Sequence, residues 1–199
     1  MPLTVYCRYD KASEKSELEE SALASSVFTG VRSIATQPSR TGHQGERFYN
    51  VQMYQFAVAF DTSQPTALAT NGAGGCQIVV VHTGQGMGAL AHFAQCKPHK
   101  IVNGVGEMCD QLGGKIEDVV FVAGYHGHDS QEKSREQILK DVGEGCPGAR
   151  VRWFRGEWST CFYLPLQEEL ALYKDLPDGA VSTSKSENSV RGITVVTYF

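Results

Sequence analysis

The chain is a succession of short apolar segments, most of which have the pattern of β-strands. Alternating apolar and polar side chains at residues 3–9 and 48–60 indicate half-buried strands. The nearly continuous apolar run at 118–125 indicates a buried strand, because a strand covered on both faces needs no polar side. In all, the pattern predicts strands at residues 3–9, 48–60, 76–82, 89–95, 118–125, 150–156, 161–166 and 191–199.

Two segments of the second half have the signals of core-packed helices. Apolar residues recur at helical spacing from Ile101 to Leu112, and Gly113 provides the stop. Asp129 and Glu132 have the spacing of a capping box, which predicts that a helix begins there and continues to about residue 143. This half therefore alternates between strand and helix, which is typical of an α/β fold.

The two ends of the chain have less to bury. Residues 11–26 are rich in helix formers but have few apolar positions, so a peripheral N-terminal helix is predicted. We expect one α/β domain over residues 1–199, since a chain of this length buries most of its apolar surface in one core. Residues 1–47 are expected to be peripheral and residues 178–190, which are polar, to be mobile.

Composition and charge narrow the classes of function. Apolar residues make up 41% of the chain and aromatic residues 10%, which indicates a globular protein rather than a disordered one. The net charge is −4 and no basic cluster is present, so nucleic acid is not an expected partner. No apolar stretch has the length of a membrane span or of a secretory signal. We expect a monomer without membrane contact, either cytoplasmic or exported to a host cell without a classical signal.

Six cysteines are irregularly spaced, at positions 7, 76, 96, 109, 146 and 161. A chain of this size needs no disulfide framework, so free thiols are predicted. Cys96 and His99 have the spacing of half a zinc site, but no second pair completes four ligands. We expect neither a metal nor another cofactor. The four cysteines after Cys76 have no neighbouring base or glycine cradle and are interpreted as structural.

Cys76 has a different environment. Gly72, Gly74 and Gly75 precede it, and their backbone can aim successive N–H groups at one point, as an oxyanion cradle requires. Cys76 begins the first strand of a predicted hairpin with the turn TGQGMG, and His92 lies on the second strand. A histidine within hydrogen-bonding reach of a cysteine can activate its thiol. The alternative is that Cys76 is a small buried residue and His92 a satisfied one.

The register of this hairpin decides how close the two side chains come. A turn centred on Gly84 pairs residue 76 directly with residue 92, whereas centres at Gln85 or Gly86 displace the pair by two or four residues but keep it on one face. The sequence leaves these registers open. His82, the competing base, is about 20 Å from Cys76 if both lie on one extended strand.

A short pattern around Cys76 resembles a known family. Thr70, Cys76 and His92, with glycines before the cysteine and in the turn, are similar to the motif of the CheD chemoreceptor glutamine deamidases. Related Cys–His pairs occur in the toxins typified by cytotoxic necrotizing factor and Burkholderia lethal factor. Here Gly75 stands where the family has serine. The resemblance extends from about residue 67 to residue 166.

The resemblance implies a β-sandwich-like layered sheet flanked by helices and a protein glutamine deamidase. Cys76 would attack a glutamine carboxamide, His92 would transfer the protons and Thr70 would orient His92. A thioester would form with release of ammonia, and water would then release glutamate. The substrate would be a protein with an exposed glutamine, in bacterial signalling or as the target of an exported effector. A transglutaminase or another amidase on the same site remains an alternative.

Two other features suggest binding. His126 and His128 lie in the predicted loop before the second helix, where they could line the site as substrate-binding residues; a metal site is the less favoured interpretation. A dense aromatic group comprises Trp153, Phe154, Trp158, Phe162 and Tyr163. Its alternation along two strands favours a core position, but an exposed group would suit a protein-binding module without turnover.

Overall fold

A computed structural model describes residues 3–8, 19–20, 35–36, 47–60, 67–94, 97–123, 129–155, 158–173, 181–183 and 193–197. Its strands, in chain order, are β1 (Thr4–Arg8), β2 (Glu19–Glu20), β3 (Ala35–Thr36), β4 (Arg47–Asn50), β5 (Gln55–Ala59), β6 (Ala67–Thr70), β7 (Gln77–Thr83), β8 (Gly88–Phe93), β9 (Ile116–Ala123), β10 (Arg150–Arg155), β11 (Thr160–Leu164), β12 (Glu169–Tyr173), β13 (Val181–Thr183) and β14 (Ile193–Thr197). Helix α1 spans Pro98–Leu112, helix α2 spans Asp129–Gly145, and a single 3-10 turn spans Pro165–Gln167.

The strands form two sheets of seven strands each, which makes the fold a layered α/β structure. The first sheet has the order β13-β4-β6-β11-β12-β1-β3 and contains both parallel and antiparallel pairs. The second has the order β14-β5-β8-β7-β9-β10-β2, and β9 with β10 is its parallel pair. Helix α2 connects β9 to β10, because parallel neighbours need a crossover connection.

Apolar side chains fill two layers around the second sheet. One layer lies between the sheets, where Leu68 and Leu170 of the first sheet pack with Val80 and Leu90 of the second. The other lies on the opposite face of the second sheet, beneath α1 and α2. Alternate residues of β7 enter these two layers, so the central strands are buried on both faces, as their continuous apolar sequence predicts.

The hairpin, the two helices and most of the strands predicted from the pattern are confirmed. Strands β7 and β8 form an antiparallel hairpin around the predicted turn. Helix α1 ends where predicted, and Gly113 with φ 58° donates its N–H to the carbonyl of Cys109. Within the described residues, no helix has the length and apolar character needed to cross a membrane.

The long strand predicted at 48–60 is wrong: this segment forms two strands in different sheets. Strand β4 pairs with β6 in the first sheet, and β5 pairs with β8 in the second. A tight turn at residues 51–54 connects them, and Tyr54 has the positive φ of 67° that the reversal requires. Alternation of side chains was preserved across this turn, so the sequence pattern did not reveal the break.

The prediction for the N-terminal segment is also corrected. Glu19–Glu20, within the predicted helix, pairs with β10 as a short strand; the rest of residues 11–26 lies outside the described residues. Leu3 and Val5 are buried between the sheets, so these residues are not peripheral. Pairing with the edge of β10 overrode the local helix propensity at Glu19–Glu20.

Strands β3, β6, β12 and β13 were missed. Strand β3 has only two residues. Strands β6 and β12 are short and almost wholly buried, and runs of three or four apolar residues do not distinguish a strand from a core loop. Strand β13 pairs with β4 inside the segment 178–190 expected to be mobile; the rest of that segment lies outside the described residues.

The aromatic group is part of the interior. Each of its five members is at most 1% exposed. Phe154, Trp158 and Tyr163 lie between the sheets, whereas Trp153 stacks on Phe121 beneath the helices. The core interpretation is therefore confirmed, and a binding surface made of these aromatic residues is excluded.

Candidate active site

A hydrogen bond between Thr70 and His92 connects the two sheets. Thr70 is the last residue of β6 and pairs with Cys161 in the first sheet, whereas His92 lies on β8 in the second. The hydroxyl oxygen of Thr70 lies 2.7 Å from Nδ1 of His92, and both residues are buried. Packing of the sheets therefore brings together two residues that are 22 positions apart in the chain.

A second hydrogen bond of Thr70 fixes the protonation of the imidazole. The Thr70 hydroxyl donates to the carbonyl oxygen of Val51 at 2.8 Å. A hydroxyl has one proton, and a carbonyl can only accept, so the bond to His92 must use Nδ1–H as its donor. His92 is thereby held as the Nδ1–H tautomer, with the lone pair of Nε2 free to accept a proton.

Burial keeps this imidazole neutral. Desolvation lowers the pKa of His92 to about 4, because the cation loses its hydration and gains no anionic partner. Nε2 is buried and accepts no hydrogen bond from any described residue. A neutral histidine with an unused lone pair on Nε2 is the state that a general base needs.

The hairpin register places Cys76 on the same face as His92. Ile78 pairs with His92 and His82 with Gly88, so the turn is centred on Gln85. Of the three registers that the sequence left open, this is the one displaced by two residues. Cys76 precedes Ile78 by two positions and packs, like Ile78, against the core between the sheets. Cys76 lies in the bend before β7, diagonal to His92; diagonal residues of a regular ladder have Cβ atoms about 7–8 Å apart, and no hydrogen bond joins the thiol to Nε2 of His92.

Cys76 is half-buried and lies at the end of a glycine turn. Its N–H donates to the carbonyl oxygen of Ala73 at 3.1 Å, which closes the turn around Gly74 and Gly75. Both glycines are half-exposed, and of the three that precede Cys76 only Gly72 has a positive φ, 71°. Cys76 is therefore not wholly enclosed, and its own N–H is used within the turn, so an oxyanion cradle here does not include that N–H.

His82 belongs to a separate polar cluster at the other end of β7. Its Nδ1 lies 2.7 Å from the hydroxyl of Tyr163, and the two rings have an edge-to-face arrangement. Burial lowers the pKa of His82, although the charge of Asp118 opposes that shift. The expectation that His82 is remote from Cys76 agrees with this position.

Two histidines were predicted to bind the substrate. His126 and His128 lie outside the described residues. Among the residues that are described, no three His, Cys, Asp or Glu side chains form a group that could hold a metal ion.

Sequence reasoning missed the part that Val51 plays. Its carbonyl accepts the Thr70 hydroxyl, and its N–H donates to the carbonyl oxygen of Ala69 at 2.7 Å. At the other end of the turn at residues 51–54, the N–H of Tyr54 donates to the carbonyl oxygen of His92 in the second sheet at 2.9 Å. These contacts use backbone atoms, which leave no signal in the side-chain pattern.

Comparison with known proteins adds no family assignment. No protein-family model matches the chain, and the search of curated proteins gave no match either. The structure itself defines a layered α/β fold with a buried hydrogen bond between Thr70 and His92 and a half-buried Cys76 that packs against the same core between the sheets.

Proposed function

We propose that this protein is a cysteine-dependent amidohydrolase that deamidates a glutamine side chain in a protein substrate. The observation that carries the proposal is the fixed tautomer of His92, which leaves Nε2 as a proton acceptor on the face shared with Cys76. The choice of glutamine rests on the resemblance of Thr70, Cys76 and His92 to the deamidase motif.

Acylation begins from a neutral thiol and a neutral imidazole. Nε2 of His92 takes the thiol proton while the sulfur of Cys76 attacks the carboxamide carbon, and the N–H groups of the glycine turn stabilise the oxyanion. When the intermediate collapses, the C–N bond breaks and Nε2–H protonates the departing nitrogen, which leaves as ammonia. The low pKa of His92 favours this second transfer, because an imidazolium in this site gives up its proton readily, whereas it weakens Nε2 as the base in the first transfer.

Deacylation uses the same histidine. Nε2 accepts a proton from water as the water oxygen attacks the thioester, and the proton returns to the sulfur as glutamate is released. Throughout, Thr70 acts as a positioning residue: it accepts from Nδ1–H and holds the ring through its own bond to Val51.

Activity should be tested with a library of glutamine-containing peptides, because the substrate protein is unidentified. Mass spectrometry would detect the gain of about 1 Da that accompanies conversion of glutamine to glutamate, and a coupled assay would detect ammonia. Cys76→Ser and His92→Gln should each reduce the rate by roughly a thousandfold or more. Cys109→Ala is the matched control, since it removes a thiol that packs on the opposite face of the second sheet from Cys76.

Full activity in either Cys76→Ser or His92→Gln would refute the proposal. The same assay with added methylamine separates deamidation from transglutamination, because amine incorporation adds about 14 Da to the peptide. Predominant amine incorporation would assign the site to a transglutaminase instead.

The role of Thr70 has its own test. Thr70→Ser keeps the hydroxyl and should retain the rate, whereas Thr70→Val should lower kcat by roughly tenfold to a hundredfold with little change in KM. The pH profile of Cys76 alkylation should also change in Thr70→Val, because the tautomer is no longer fixed. An unchanged profile would mean that Thr70 is only structural.

A further inference from the structure

Two cysteines that the proposed mechanism does not use lie side by side where α1 meets the end of α2. Cys109 is on α1, and Cys146 directly follows the last residue of α2. Their sulfurs are 3.2 Å apart, although the residues are separated by 37 positions in the chain. Both are free thiols, and Cys109 is half-exposed.

We propose that Cys109 and Cys146 form a redox-modification site, in which a peroxide oxidises the two thiols to a disulfide that joins α1 to the end of α2. The inference does not rest on the proposed function, because Cys76 takes no part in it. A disulfide needs an S–S separation of about 2.0 Å, so the sulfurs must approach by about 1 Å, which is within the range of a side-chain rotation.

The chemistry balances with one peroxide per disulfide. One sulfur, as its thiolate, attacks an oxygen of hydrogen peroxide, the O–O bond breaks and a sulfenic acid forms, while the hydroxide that leaves takes up the thiol proton as the first water. The second sulfur attacks the sulfenic sulfur, the S–S bond forms and the S–O bond breaks, releasing the second water. Two electrons pass from the two thiols to the peroxide, and both thiol protons end in water.

The surroundings of the pair support this order of events. The hydrogen bond between the sulfurs lowers the pKa of Cys146, because the thiol that keeps its proton stabilises the neighbouring thiolate. The same hydrogen bond, together with burial, raises the pKa of Cys109. One thiol of the pair can therefore ionise while its neighbour keeps its proton and acts as the resolving thiol.

The helices that would be joined are already in close contact with the sheet. A Cβ atom added at Gly104 of α1 would lie 2.6 Å from the ring of Phe93 on β8, so helix and strand touch at that point. Cys146 and Val142 pack with Phe121 and Trp153 on the same face of the sheet. A disulfide between the helices therefore joins elements that packing has already ordered. It also closes the chain segment between Cys109 and Cys146, which reduces the conformational entropy of the unfolded chain and so stabilises the folded state.

The test treats the intact wild-type protein with a small excess of hydrogen peroxide, alkylates the remaining thiols after denaturation, and maps the peptides by mass spectrometry. The expected product is a peptide pair linked through Cys109 and Cys146, lighter by about 2 Da than the two reduced peptides. The thermal unfolding midpoint of the oxidised protein should be roughly 5–15 °C higher than that of the reduced protein.

Variants separate this pair from the other thiols. Cys109→Ser should give neither the cross-link nor the rise in midpoint, whereas Cys76→Ser should retain both. Alkylation of both Cys109 and Cys146 after peroxide treatment would overturn the inference. So would their conversion to separate sulfinic acids, or a cross-link that involves a different pair. The wild-type peptide map is sufficient to decide even if a variant does not fold.

Discussion

Lowering the pH should destabilise this protein through His92 in particular. The pKa of His92 is about 4 in the folded state, against about 6.5 in an unfolded chain. As the pH falls through 6.5, the unfolded state binds the proton first, so stability is fully present above that pH and decreases toward pH 4. The whole shift corresponds to about 3 kcal/mol, of which about 2 kcal/mol is lost between pH 7.5 and pH 5.

Urea unfolding of the wild type and of His92→Gln at these two pH values measures this contribution. The variant lacks the titrating group, so its free energy of unfolding should decrease by about 2 kcal/mol less than that of the wild type. Other groups, including His82, whose pKa is also lowered by burial, contribute equally to both proteins. Comparing the two pH-dependent losses removes any constant effect of the substitution on packing.

His99→Gln is the matched control because His99 is exposed on α1, so it removes a histidine without changing the interior. If the wild type and His92→Gln lost the same free energy over this pH interval, the burial argument would be refuted. The neutral imidazole required by the proposed mechanism would then lose its physical basis.

Two further predictions concern stability. Asp118→Ala should lower the free energy of unfolding by about 3–5 kcal/mol, because it removes a buried carboxylate that pairs with Arg150 and Arg152. This carboxylate accepts the N–H of Leu3 at 2.9 Å and lies 3.2 Å from Nη2 of Arg152. Urea unfolding would measure the loss, and a value below about 1 kcal/mol would contradict the stabilising role of this cluster. Tyr54→Gly should increase the free energy of unfolding by up to about 1 kcal/mol, because glycine adopts a φ of 67° without strain. The thermal unfolding midpoint should rise accordingly; a lower midpoint would show that the exposed Tyr54 ring stabilises the turn.

The sequence was most informative where the elements are long and strongly periodic. Helix α1, the β7–β8 hairpin and strand β9 were all predicted, because the hydrophobic period and a glycine turn are local properties. The shared face of Cys76 and His92 also followed from the alternation of strand side chains. Local patterns failed where an element is short, as in β6, or where one apolar pattern continues across a turn between sheets, as at residues 51–54.

By itself, then, the sequence determined which residues of the long strands and helices lie on which face, and a resemblance of its motif selected Thr70, Cys76 and His92 as a group to examine. Only the tertiary structure decided the turn centre at Gln85, the Thr70–Val51 bond that fixes the tautomer, and the burial that lowers the pKa of His92. It also decided that the sulfurs of Cys109 and Cys146 meet. The reason is physical: periodicity acts between near neighbours in the chain, whereas these contacts arise when separate sheets and helices pack against each other.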